Sequence, residues 1–117
     1  MIITNDGMLT IPDATVNTNS EVFDCFDNYS LSIITNFSAN VDGTLKMQIS
    51  NDNVSSGSDV VNWFDKAVFS TVVTSTGHTE WNFAYTPWRW IRLVWTDNGS
   101  TSAGAIQSFF AAKRLEV

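Results

Sequence analysis

The chain has 117 residues, enough for one domain with its own core and no need of disulfide staples. Apolar residues make up 44% and charged ones 15%, so the surface must be mostly neutral and polar, filled by Asn, Ser and Thr. A net charge of -6 argues against nucleic acid as a partner, no apolar run approaches the roughly 20 residues that span a bilayer, and the single Cys25 forms no internal disulfide.

Taken in order, the elements are nearly all strands. The opening MIITNDGMLTIPD has no basic start and no unbroken apolar core, so no secretory leader is predicted. Its first 12 residues are apolar enough to serve as an arm against a neighbouring subunit. Leu9 to Ile11 and Ala14 to Thr18 read as short strands. In YSLSIITNF, Leu31, Ile33, Thr35 and Phe37 share one parity against Ser30, Ser32 and Asn36. In GTLKMQIS, Leu45, Met47 and Ile49 face one way while Lys46, Gln48 and Ser50 face the other. Val60 to Phe64, Ala67 to Val73, Glu80 to Tyr85, Trp88 to Thr96 and Ala103 to Lys113 follow. Turn-forming clusters separate them: TNDG, SANVDG, NDNVSSGSD, TSTG and TDNGSTSAG. Short strands so punctuated predict a single all-β domain, an antiparallel β-sandwich or jelly roll. Leu115 to Val117 match the start of a protease-cleavage tag and carry no weight in this reading.

The segment PWRWIRLVWT crowds three of the five tryptophans into one strand. By parity Trp88, Trp90, Arg92 and Val94 share a face, and Arg89, Ile91, Leu93 and Trp95 share the other. Neither face is wholly polar, so the strand is expected to be central and covered on both sides over part of its length. Arg92 then needs a partner, a carboxylate, a carbonyl or an aromatic face such as Trp88 or Trp90, because an unpaired buried charge is costly. Its removal is expected to cost roughly 2 kcal/mol or more.

KMQISND (46 to 52), then Trp63, then RWIRLVWT (89 to 96) and STSAGAIQSFFAAKR (100 to 114) together resemble a group of small structural proteins of tailed bacteriophages. The RWIRL piece is also similar to a late strand of discoidin-type jelly rolls. The resemblance covers residues 43 to 114, and its motifs are structural. It implies a β-sandwich that serves the virion as a decoration, fibre or attachment component.

Residues suited to catalysis are sparse. His78 is the one histidine, flanked by Gly77 and Thr79 in an expected turn, so neither a zinc site nor a Ser-His-Asp triad is predicted. Asp24 and Asp27 flank Cys25 and would raise its pKa, which disfavours a nucleophile. Asp52, Asn53 and Asp59 match no calcium-loop spacing. No enzyme activity, metal or cofactor is expected. The expected function is that of a virion structural protein, assembled in the host cytoplasm as a homo-oligomer, three copies before other states, and bound to other virion proteins. It has no nucleic-acid or membrane partner in this reading. The alternative is a carbohydrate-binding module or receptor-binding tip, with Trp63, Trp81 and Trp88 at strand ends as the glycan or partner contacts.

Overall fold

A computed structural model describes residues 2–25, 30–37, 41–73, 77–83, 88–99 and 105–115. Their strands are β1 (Ile2–Ile11), β2 (Thr18–Asn19), β3 (Phe23–Asp24), β4 (Ser30–Phe37), β5 (Gly43–Ser50), β6 (Phe64–Val73), β7 (Gly77–Phe83), β8 (Trp90–Asp97) and β9 (Ile106–Leu115). A single 3-10 turn, Gly57–Asp59, is the sole helical element among the described residues. One antiparallel sheet runs β1-β9-β4-β7; the other runs β2-β8-β5-β6, with β3 also on β8. The chain folds as the β-sandwich that its alternation predicts.

The two sheets meet through one parity of each strand. Leu31, Ile33 and Phe37 of β4 and Ile106 and Ala112 of β9 face Leu45 and Met47 of β5 and Ile91, Leu93 and Trp95 of β8, all buried. Ile49 and Phe110 pack partly buried against this cluster. Each buried Leu, Ile, Met or Phe among them contributes roughly 1.5–3 kcal/mol on leaving water. The fully buried Trp95 donates its indole N–H to the Ala14 carbonyl at 2.8 Å, so its polar atom is satisfied where its bulk is buried. Gly43 makes room for that ring: a Cβ there would collide with it and with the Thr96 carbonyl oxygen. Thr35 and Ser108, both fully buried, share a hydroxyl hydrogen bond of 2.7 Å between β4 and β9.

Three expected elements differ. Residues 1 to 12, expected as an arm, contain the edge strand β1, paired with β9 from Ile2↔Leu115 to Ile11↔Ile106. Its middle, Asn5, Asp6 and Gly7, breaks the apolar alternation, which is why pattern alone makes it look unpaired; Leu9 and Ile11 are nevertheless core. Ala14 to Thr18 is mostly a turn, because the Asp13 carboxylate accepts from the Thr15 amide (3.0 Å) and hydroxyl (2.6 Å). Val60 to Asn62 stays outside β6: the Val60 amide donates to the Gly57 carbonyl, and the Val61 and Asn62 amides donate to the Asp52 carboxylate, so none of the three pairs with a neighbouring strand.

β2 and β3 share one edge of β8, and Ser20 fills the gap between them. Its amide donates to the Leu93 carbonyl at 2.8 Å, and its hydroxyl accepts from the Leu93 amide at 2.8 Å. Both backbone groups of Leu93 are thereby satisfied at that break.

Candidate functional site

The outer face of the second sheet carries a connected polar row. The register sets Gln48 of β5 opposite both Arg92 of β8 and Asp65 of β6. Arg92 donates its Nε–H to Gln48 Oε1 at 2.8 Å. The Gln48 amide donates in turn to Asp65 Oδ1 at 2.9 Å, and Lys46 Nζ meets Asp65 Oδ2 at 3.0 Å. Hydrogen bonding from Gln48, then from Lys46, holds the Asp65 carboxyl below its ordinary 3.8. Partial desolvation lowers the Arg92 pKa, and the group stays charged at neutral pH.

Over this row lies Trp63, with the Arg92 guanidinium carbon 4.4 Å from its ring centroid. The ring sits there because its loop is tied down. The Asp52 carboxylate accepts from the Val61 amide (2.8 Å), the Asn62 amide (3.0 Å) and the Asn62 side chain (2.9 Å). These bonds, the Asn62 amide first, lower the Asp52 pKa from 3.8. Asp52 is itself fixed to the sandwich: its amide donates to Ser50 Oγ at 3.1 Å, and its carbonyl accepts from the Trp90 indole at 3.1 Å. Trp90 is buried beneath this loop and under Arg89, whose guanidinium lies 4.6 Å from its ring. The loop leaves Val61 (78%) and Phe64 (63%) in solvent beside the half-buried Trp63.

The first sheet's outer face is different. Phe109 of β9 lies in register between Met8 of β1 and Ile34 of β4. The three are 45%, 45% and 42% exposed and form an apolar row across three strands. A shallow groove of about 600 Å³ runs along it, its floor formed with Asp6, Ser32 and Ala111.

Of the tryptophans expected at the surface, Trp63 alone is part exposed. Trp81 (7%) and Trp88 (8%) belong to the core. Trp88 precedes β8 in a bend, so strand parity does not govern it; it packs edge-on against Phe83 at 5.7 Å. Its buried indole N–H makes no hydrogen bond among the described residues, and its nearness to Cys25 lowers that thiol's pKa only slightly. Burial, then Asp24, outweighs it and pushes Cys25 up to about 12, so no thiolate forms near neutral pH. His78 lies exposed on β7 rather than in a turn. Arg92 stacks on Trp63, not on Trp88 or Trp90. Gln48, Asp65, Met8, Ile34 and Phe109 were not singled out by sequence, because each matters only through cross-strand register.

Among the described residues no cluster of three or more His, Cys, Asp or Glu is placed to hold a metal ion. No helix among them is long and apolar enough to cross a membrane.

No protein-family profile matches the chain, and no curated protein sequence does. Solved structures do resemble it. The SPBc2 prophage-derived protein YomS superposes with a TM-score of 0.59 at 14% identity, over 95% of either chain. A protein of Bacillus endospore appendages, described as disulfide-linked pili, gives 0.59 at 9% identity over 99% of this chain and 89% of its own. Chitosan-binding module 1 from a chitosanase/glucanase of Paenibacillus sp. IK-5 gives 0.56 at 14%, over 87% and 74%. At these identities the likeness is one of fold.

Proposed function

We propose that the chain is a non-enzymatic structural domain of a tailed-bacteriophage particle, a decoration, fibre or attachment component that works by packing against copies of itself and against other virion proteins. The observation that carries this reading is the Met8–Phe109–Ile34 row, large apolar side chains left in register on the open face of a sheet. A solvated sheet face ordinarily carries polar residues at these positions, and contiguous apolar ones mark a surface that is covered in use. The rest of that face suits an interface: Ser32 and Ala111 are small, which lets a neighbouring sheet approach closely. The resemblance of RWIRLVWT and its flanking motifs to phage structural proteins supports the particle assignment, and so does the fold shared with a prophage-derived protein. The sparse charge of the chain suits a protein held at high local density.

Native mass measurement tests the reading directly. The wild-type chain is expected to associate, with three copies the expected number, and Ile34→Ser combined with Phe109→Asn is expected to shift it to monomer with an unchanged circular dichroism spectrum. A wild-type chain that stays monomeric at micromolar concentration and also fails to bind particles would overturn it.

A further inference from the structure

The second sheet's outer face has features that a covered packing surface does not need. Trp63 is held in one orientation from both directions: its loop by the three bonds of Asp52, its ring by the Arg92 guanidinium at 4.4 Å. Below it, Arg92, Gln48, Asp65 and Lys46 form a line in which each side chain is already oriented by the next. Every member is partly solvent-exposed, and Asp65 is more than half so along its side chain. Free acceptor lone pairs on Asp65 and free N–H groups on Arg92 and Lys46 therefore point into water at fixed spacing.

We propose that this platform binds a neutral, flat pyranose chain, with a sugar ring laid against the open part of the Trp63 indole and its hydroxyls bridged by Asp65, Lys46 and Arg92. The chemistry favours a saccharide over an apolar peptide. A planar apolar surface beside paired donors and acceptors matches a ring whose faces are C–H and whose edges are hydroxyls. The interlocked side chains lose little freedom on binding, so weak single contacts can add up. Neutrality follows from charge. Lys46 is paired with the Asp65 carboxylate, Arg92 is held by the neutral Gln48 oxygen and the Trp63 ring, and the chain as a whole carries -6, which repels a polyanionic sugar.

Tryptophan fluorescence during titration with cellopentaose tests this, with pentagalacturonate as the anionic comparison. Cellopentaose is expected to perturb the emission saturably, while pentagalacturonate does not. Trp63→Ala should weaken binding at least tenfold, Asp65→Asn several-fold, and Trp63→Phe should retain most of it. Thermal melts of each variant separate lost binding from lost folding, and Asp65→Asn, a near-isosteric change at an exposed position, keeps the test intact if Trp63→Ala unfolds. Absence of any cellopentaose response up to millimolar concentration, tighter binding of the anionic sugar, or undiminished binding by folded Trp63→Ala would each overturn the proposal. Self-association through the other sheet is untouched by all three variants, so the two readings fail separately.

Discussion

On one outer face Met8, Phe109 and Ile34 stand side by side in water; on the other, Lys46, Asp65, Gln48 and Arg92 hold one another under a tryptophan. Both faces are built on strands with the same inward parity and share one core. What distinguishes them is the cross-strand neighbour at each outward position. The first face gathers side chains that gain by being covered. The second gathers side chains that have already satisfied part of their bonding and present the remainder. A sandwich can thus separate holding from displaying simply by which sheet a residue is on.

The largest effects should show the faces to be additions to a common core. Ile33→Ala beneath the first sheet and Leu93→Ala beneath the second should each lose about 2–5 kcal/mol in denaturant unfolding, as buried large-to-small changes do. If one cost far less than the other, the two sheets would not share a single cooperative core. A smaller difference should separate the faces themselves. Arg92→Ala is expected to cost about 1 kcal/mol. That is below the figure expected from sequence, because the freed Gln48 oxygen is part exposed and water can replace the guanidinium. Phe109→Asn should change monomer stability by no more than about 0.5 kcal/mol, since it removes an exposed ring.

Acid should sharpen the contrast with the smallest effect. Asp52 and Asp65 both have folded pKa values below 3.8, held down chiefly by the Asn62 amide and by Gln48. The stability they contribute is present above that value and is lost as pH falls through the lowered one. Both carboxylates face solvent, so the global loss is small and screened. The expected signature is local: Trp63 emission changes at a pH above the global acid transition, and Asp52→Asn removes part of that change. An emission change that coincided with global unfolding would mean that the loop has no separate tether.

Much of the fold was legible because burial in a sandwich follows a period of two. Leu31, Ile33, Leu45, Met47, Ile49, Ile91 and Leu93 could be placed inward from alternation alone, and all are buried except Ile49, which is partly so. β1 was not legible, since Asn5, Asp6 and Gly7 interrupt the pattern that pairing with β9 restores. The outer faces were harder still. Arg92 could be expected to need a partner, but Trp63 lies 29 positions earlier, in a loop whose path is set by the Asp52 carboxylate. Trp81 and Trp88 sit near strand ends, where sequence suggests exposure and the closing of the sandwich over Phe83 and Cys25 buries them. Parity reports which side a residue faces; it does not report what stands next to it.

The position of β9 has a consequence in time. It lies between β1 and β4, so only the β4–β7 pair of the first sheet can form from the strands a ribosome delivers first. β1 has no partner until residues 106 to 115 are made, whereas β5, β6 and β8 can pair with one another earlier. The second sheet is therefore expected to form ahead of the first, and the last strand to lock both of its neighbours in one step. Such non-local closure makes for slow folding, during which β1 and β4 offer bare edges to other nascent chains.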